Sequence, residues 1–219
     1  MRLLSDLFEN NRRWARHMEE AQPGFFERLS GQQTPQFFWI GCADSRVPAN
    51  EIVGLMPGEV FVHRNVANVV NPFDHNCLSC LEYAVNVLQV KHVMVVGHYG
   101  CGGVRAALQG EYRGRVGEWL APVRAIHRKY ASYLDEDSKL CWDKLCELNV
   151  VEQTAAVWQT SIVREAWAGG QELAVHGWVY SIHDGLLRDL MVTVTCGAEA
   201  DEVRRKALDE ILGTSAGRL

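Results

Sequence analysis

Short apolar runs alternate with longer segments of helical spacing along the first half of the chain. Residues 37–41 (FFWIG), 59–63 and 93–96 are short, β-branched or aromatic runs, which predict strands. Between the last two runs, residues 76–90 place leucines and valines at helical spacing and lead directly into the strand at Val93. A strand, a helix and a second strand in this order predict a parallel pair joined by a right-handed crossover.

The second half begins with helical patterns and returns to strands. Residues 138–167 form a long helical segment that ends at Gly169 and Gly170. Two later apolar runs, 173–180 and 187–195, flank an Asp184-Gly185 pair, which favours a hairpin turn. The last strand is therefore predicted to be antiparallel and to lie at an edge of the sheet.

The chain begins with an amphipathic segment. Residues 3–30 mix apolar and charged side chains at helical spacing, and Pro23-Gly24 interrupts them, so one or two helices are predicted there. We expect this arm to pack on the main body or on a partner subunit. The expected organisation is one domain over 1–219, with a helical arm (1–34), an α/β core (35–195) and a polar tail (196–219). The fold class is α/β, with a central mostly parallel sheet, an antiparallel edge strand and flanking helices.

Composition restricts the possible partners. The 219 residues are 47% hydrophobic and 22% charged with a net charge of −5, which is typical of a soluble globular protein and too acidic for nucleic-acid binding. Asp6 and Glu9 interrupt the apolar core that a signal peptide needs, and no uncharged run approaches the roughly 20 residues that span a bilayer. We expect a cytoplasmic protein without a membrane partner. Seven cysteines in such a chain favour reduced thiols and metal ligation over disulfides.

Potential metal ligands follow two of the predicted strands. Cys42 and Asp44 come directly after the first strand, and His98 and Cys101 come after the third. Because the carboxyl ends of parallel strands meet at one edge of a sheet, these four side chains are expected to lie together. They form a set of potential zinc ligands, and the helix predicted after Cys101 favours its thiolate.

Other interpretations of the same residues remain open or fail. The glycine-rich turn after residue 97 is not a dinucleotide loop, because Arg105 stands where glycine or alanine is needed, and no Gly-Lys-Ser/Thr follows. Cys77 and Cys80 form a C-x-x-C, but within an apolar helical run that favours packing. Two alternatives stay open: a non-catalytic zinc protein with Asp44 as permanent fourth ligand, and a dithiol redox protein.

Three motifs together resemble the β-class carbonic anhydrases: Cys42-x-Asp44-x-Arg46, His63-Arg64-Asn65 and His98-x-x-Cys101-Gly102-Gly103. The resemblance extends from about residue 37 to residue 190. It implies a lyase that interconverts carbon dioxide and bicarbonate with one Zn²⁺ per chain. It also implies a homodimer, or a tetramer built from dimers.

The position of Asp44 leaves a choice between two roles. Its carboxylate could bind zinc as a fourth ligand, or it could accept a hydrogen bond from zinc-bound hydroxide. Arg46 offers a bidentate partner that would hold the carboxylate away from the metal, which makes Asp44 and Arg46 the expected catalytic pair. Two thiolates neutralise the zinc charge, so the bound water should be a weaker acid than with three histidines, and activity should favour alkaline pH.

Three further residues match positions that form a second bicarbonate pocket in an allosteric subgroup of the β class. They are Trp39, Arg64 and Tyr180. The match implies inhibition by bicarbonate and at low pH.

Overall fold

The strands form one five-stranded sheet, as seen in a computed structural model that describes residues 3–110, 113–135 and 140–214. The strands are β1 (Phe37–Cys42), β2 (Val60–Asn65), β3 (His92–His98), β4 (Ala174–Ser181) and β5 (Leu186–Val194). Their order is β2-β1-β3-β4-β5, with parallel pairing except between β4 and β5. The predicted α/β class and the antiparallel edge strand are confirmed.

Helices account for most of the remaining described residues. They are α1 (Ser5–Ala21), α2 (Phe25–Gly31), α3 (Ala49–Val53), α4 (His75–Glu82), α5 (Gly102–Gln109), α6 (Gly114–Trp119), α7 (Ala121–Tyr130), α8 (Leu140–Trp158), α9 (Ser161–Ala168) and α10 (Ala200–Leu212). No described helix is both long enough and apolar enough to cross a lipid bilayer.

The chain divides into two compact units, the first ending at Thr34 and the second beginning at Pro35. The first contains α1 and α2, so the segment in which one or two helices were expected forms two, one on either side of Pro23-Gly24. Within it, the rings of Trp14 and Phe26 meet edge to face with centroids 5.6 Å apart. The packing of this arm on the body or on a partner stays a prediction.

The core of the second unit lies between the sheet and the long helix α8. The central strands β1 and β3 are buried along almost their whole length, which explains their uninterrupted apolar sequences. Helix α8 packs across β3 and β4. Its side chains Val151 and Ala155 join Phe38 and Ile40 of β1 in one apolar cluster. A smaller cluster around Trp39 covers the opposite face of the sheet.

Several boundaries differ from the sequence-based expectation. The helical segment over 76–90 divides into α4 and a π-helical turn, Tyr83–Val87. It leads from β2 to β3, which are not neighbours, because β1 lies between them. The segment over 138–167 consists of α8 and α9, with Thr160 capping α9; residues 138 and 139 lie outside the described residues.

The region expected to be a polar tail contains helix α10. Its small residues Ala200 and Ala207 are buried in the main apolar cluster, and Arg204 donates hydrogen bonds to Glu152 of α8 at 2.8 Å. The sequence did carry a signal for this helix, because Val203, Ala207 and Ile211 recur every four residues and pack on this cluster. The second strand also continues through Arg64 to Asn65, beyond its predicted end at residue 63.

Candidate metal centre

Two sulfur atoms and one imidazole meet at the carboxyl edge of the sheet. Cys42 is the last residue of β1, His98 is the last residue of β3, and Cys101 precedes α5. The two strands are parallel neighbours, so their ends bring these side chains together. The sulfur atoms of Cys42 and Cys101 are 3.8 Å apart, and a ring nitrogen of His98 lies within 4.8 Å of both. The exposed fractions of the three residues are 5%, 1% and 1%.

The hydrogen bonding of His98 leaves one nitrogen available to a metal. Its Nδ1 lies 3.0 Å from the carbonyl oxygen of Tyr99, to which it donates, so Nε2 carries the lone pair. Nε2 is buried, and it has no hydrogen-bond partner among the described residues. A buried nitrogen without a partner beside two buried sulfurs fits a tetrahedral zinc ion with one position left open.

The two sulfur atoms share a hydrogen bond. This contact lowers the pKa of one thiol of the pair, assigned to Cys42, against the effect of burial, and it raises the pKa of the other, Cys101. The backbone amides of Asp44 and Ala67 also lower the pKa of Cys42. A divalent cation bound by both sulfurs would replace the proton that they share.

Asp44 lies beside the donor cluster and is held by Arg46. Arg46 donates from Nε to Oδ1 at 3.0 Å, from Nη2 to Oδ2 at 2.8 Å and from its backbone amide to Oδ1 at 2.9 Å. The hydrogen bond from the Arg46 side chain keeps the pKa of Asp44 well below its usual range. Oδ2 is 3.8 Å from Nε2 of His98. The compact donor set thus contains three residues, and Asp44 is adjacent to it.

Arg64 has a contact that sequence reasoning did not anticipate. Its Nε donates to the carbonyl oxygen of Cys42 at 2.9 Å, and its guanidinium also donates to the carbonyl oxygen of Asp44. The side chain therefore clamps the backbone that carries both a sulfur donor and the carboxylate. Register could have indicated this contact, because Arg64 pairs with Gly41, the residue before Cys42.

Trp39, Arg64 and Tyr180 share one face of the sheet. The pairings Trp39 with Met94, Gly41 with Arg64, and His98 with Tyr180 place them on that face. The Trp39 ring is fully buried, and its Nε1 has no hydrogen-bond partner within the described part of the chain. No direct contact joins Arg64 to either aromatic ring among the described contacts.

A second group of potential ligands contains His63, Asp74 and Cys77. The amide nitrogen of Asn65 lies 3.2 Å from Nε2 of His63 and donates to it, which places the imidazole proton on Nδ1. Asp74 caps α4 by accepting from the Asn76 amide at 3.1 Å. Burial raises the pKa of Cys77 to about 12 and also raises that of Cys80. These groups are occupied in packing and capping, and the raised pKa values disfavour dithiol chemistry.

The fold and the donor set define an α/β protein with its chemistry at the carboxyl edge of a parallel sheet. A family model described as carbonic anhydrase matches residues 37–187. A carbonic anhydrase of Emericella nidulans is 46% identical over 188 residues, which cover 85% of this chain and 82% of that protein.

Two solved structures are similar over most of the chain. One is a Coccomyxa β-carbonic anhydrase in complex with acetazolamide, with 39% identity, a TM-score of 0.88, and coverage of 99% of this chain and 100% of that one. The other is from a study of two tetrameric β-carbonic anhydrases of Sordaria macrospora, with 38% identity, a TM-score of 0.82, and coverage of 86% and 96%.

The chain belongs to the β-carbonic anhydrase family. It is a lyase of the carbonic anhydrase type, whose reaction is the hydration of carbon dioxide. The family membership favours the catalytic interpretation over the non-catalytic zinc and dithiol alternatives.

Proposed function

We propose that this enzyme hydrates carbon dioxide with one zinc ion held by Cys42, His98 and Cys101. The observation that carries the proposal is the buried Nε2 of His98, which has no partner in the described chain and lies beside the two sulfur atoms. Leaving such an atom unsatisfied is unfavourable, and a metal ion would satisfy it.

Zinc, when bound, supplies Lewis acidity that lowers the pKa of a coordinated water toward neutrality. The remaining steps depend on side chains of this chain. The two thiolates and the neutral imidazole would hold the ion, and the hydrogen bond from Nδ1 of His98 to the Tyr99 carbonyl would fix the direction of Nε2.

Asp44 and Arg46 would orient the nucleophile. Asp44 is kept ionised by Arg46, and 16% of its side chain is exposed, so it can accept a hydrogen bond from the attacking oxygen. Accepting this hydrogen bond, with the proton kept on the attacking oxygen, would direct a lone pair of that oxygen toward the carbon of carbon dioxide. Because Arg46 occupies both carboxylate oxygens, it would also keep Asp44 from taking the fourth position on the metal.

The test is metal content and activity measured on the same samples. The purified protein should contain one zinc per chain, and removal of zinc by a chelator should abolish stopped-flow hydration of carbon dioxide until zinc is returned. Cys101→Ser should lose metal and activity together, whereas Cys196→Ser, at an exposed site, should keep both. A fully metallated and active Cys101→Ser protein would refute the assignment.

We also propose that bicarbonate inhibits the enzyme through Trp39, Arg64 and Tyr180. The buried Nε1 of Trp39 is a donor without a partner in the described chain, which an oxyanion could engage. Arg64 lies on the same face of the sheet, and it donates hydrogen bonds to the carbonyl oxygens of Cys42 and Asp44. It therefore connects the proposed anion pocket to the loop 42–46, which carries Asp44 and Arg46. An anion competing for the guanidinium would loosen this loop and the hold of Arg46 on Asp44. Low pH would act in the same direction by protonating the nucleophile.

The proposed assembly is a homodimer, or a tetramer built from dimers. The tetrameric Sordaria macrospora enzymes support this proposal by similarity. Light scattering on the purified protein tests it, and a monomer at micromolar concentration would contradict it.

A further inference from the structure

The turn after β2 has an unusual backbone and contacts the candidate metal centre. Ala67 has φ 65° and ψ 27°, and Asn68 has φ 46°, so two consecutive residues with side chains adopt the left-handed region. Both are buried, with 0% and 1% of their surface exposed. Such conformations are sparsely populated and persist where surrounding contacts determine them, often at functional sites.

The conformation of the turn aims a backbone amide at a metal donor. Ala67 lies in the same buried cluster as Cys42 and Cys101, and its backbone amide, like that of Asp44, lowers the pKa of the Cys42 thiol. An N–H bond to a thiolate draws electron density from the sulfur and fixes its position. The Ala67 peptide is thus part of the environment that sets how strongly Cys42 donates to a metal.

Two buried amide side chains of α8 hold this turn from the other side. Asn149 donates from Nδ2 to the carbonyl oxygen of Ala67 at 2.9 Å. Gln153 donates from Nε2 to Oδ1 of Asn149 at 3.0 Å and accepts from the amide of Val70 at 2.7 Å. The two residues are four apart, so they lie on one face of the helix. Their exposed fractions are 0% and 3%.

Thr154, the next residue of α8, is a buried polar residue that forms no described hydrogen bond to the turn. Thr154 is fully buried and satisfies its hydroxyl within the helix, by donating to the carbonyl oxygen of Val150 at 2.7 Å. Asn149 and Gln153 instead direct their amides to the turn backbone. Burying a side-chain amide is unfavourable unless it forms hydrogen bonds. Here the hydrogen bonds go to the backbone of the turn that follows β2, next to Cys42.

We propose that Asn149 and Gln153 are positioning residues for the metal centre, which hold the Ala67 peptide so that its amide bonds to Cys42. The inference rests on the proposed zinc site and extends it to residues on α8 that do not touch the metal. Without these side chains the turn relaxes from the left-handed conformation, the amide leaves the sulfur, and the geometry and charge of the thiolate change.

The test uses the absorption of the cobalt-substituted enzyme, because the thiolate-to-cobalt charge-transfer band responds to hydrogen bonds at sulfur. The variants are Asn149→Leu and Gln153→Met, which keep side-chain size and remove the amides. Each should bind one cobalt per chain with its band at longer wavelength than in the unaltered protein, since the freed sulfur donates more strongly. The kcat of the zinc forms should fall by about 10- to 100-fold, the usual effect of changing a group that orients a metal ligand.

Thr154→Val is the matched control, since it also removes a buried hydrogen bond from α8. Its cobalt spectrum and kcat should equal those of the unaltered protein. If Asn149→Leu does not fold, Gln153→Met decides the question, because it leaves the Asn149 bond to Ala67 in place but unsupported. A folded variant with unchanged spectrum and kcat, or an equal shift in Thr154→Val, overturns the inference.

The same experiment distinguishes an error in the proposed zinc site from an error in the role of Asn149 and Gln153. An unaltered protein that gives no thiolate-to-cobalt band at all refutes that site, and this inference with it. An unaltered protein with the band and variants without a shift refute only the role of Asn149 and Gln153.

Discussion

Arg46 grips both carboxylate oxygens of Asp44, with Nε 3.0 Å from Oδ1 and Nη2 2.8 Å from Oδ2. The carboxylate cannot turn further toward Nε2 of His98, 3.8 Å away, without breaking these bonds. Charge-assisted bidentate pairs of this kind are among the stronger interactions of side chains. The pair therefore acts as a geometric restraint at the edge of the metal centre.

Removing this restraint should abolish activity without removing metal. In Arg46→Ala the freed carboxylate can reach the fourth position on zinc, so we expect one zinc per chain and a loss of hydration activity of about 100-fold or more. Metal analysis and stopped-flow assays on the same preparation check this. Arg205→Ala, which breaks an exposed pair with Asp209 on α10, should change neither quantity. Full activity in Arg46→Ala at every pH would contradict the proposed restraint.

Bicarbonate inhibition should depend on the hydroxyl of Tyr180. Tyr180→Phe removes one polar contact from the proposed anion pocket and leaves the ring, so the bicarbonate concentration for half inhibition should rise by about 5-fold or more. Tyr133→Phe, at an exposed position outside the sheet, serves as the control. The measurement is hydration rate at several bicarbonate concentrations, with zinc content verified in each variant.

The same proposal predicts the form of the pH profile. Raising pH favours the open site, so activity should rise more steeply than one ionisation allows, and bicarbonate should move the rise to higher pH. A one-proton curve that bicarbonate shifts only by product competition would mean that Trp39, Arg64 and Tyr180 serve only in packing and in holding the loop.

Gly41 provides the space that the Trp39 ring occupies. A Cβ at this position would lie 2.1 Å from Nε1 of Trp39, a distance that forces the indole to move. Gly41→Ala should therefore lower the free energy of unfolding by about 1–3 kcal/mol and alter tryptophan fluorescence. Gly197→Ala, where a Cβ meets nothing within 4 Å, should leave both unchanged. Denaturant unfolding followed by fluorescence measures the difference, and equal stability of the two variants would argue against the close contact.

Glu152 joins three helices through ionic hydrogen bonds. It accepts from Lys129 of α7 and Arg204 of α10, each at 2.8 Å, and from the hydroxyl of Tyr130. Burial raises its pKa, but the hydrogen bonds from Lys129, Tyr130 and Arg204 outweigh burial and lower it. Glu152→Gln should destabilise the protein by about 1–3 kcal/mol at neutral pH.

The pH dependence of this effect follows from the lowered pKa. Stability from an ionised carboxylate is fully present above its unfolded pKa, about 4.3, and is lost as pH falls through the lower folded value. The difference between Glu152→Gln and the unaltered protein should therefore shrink below about pH 4. Glu202→Gln removes an exposed pair with Lys206 and should leave the free energy of unfolding nearly unchanged. A pH-independent Glu152→Gln effect would contradict the ionic origin.

The sequence by itself determined the parts of this protein that depend on local pattern. Uninterrupted apolar runs such as 93–96 identified buried parallel strands, and Asp184-Gly185 between two such runs identified the antiparallel hairpin. The potential metal ligands Cys42 and His98 could be placed together, because they end two strands and the carboxyl ends of parallel strands lie at the same edge of a sheet. Helix α10 was not predicted, although Val203, Ala207 and Ile211 recur at helical spacing, because charged residues separate them and give the segment a polar composition.

Only the tertiary structure decided the order of the strands and which polar atoms form hydrogen bonds. The placement of β1 between β2 and β3 depends on pairing between strands that are distant in sequence, which the local pattern does not predict. Nothing in the residue type of Ala67 predicts its left-handed backbone conformation. That conformation is held by hydrogen bonds from Asn149 and Gln153, which lie more than 80 positions further along the chain. The free lone pair on His98 likewise depends on where one carbonyl oxygen lies. Such features arise from packing between distant segments, whose energies a sequence pattern does not encode.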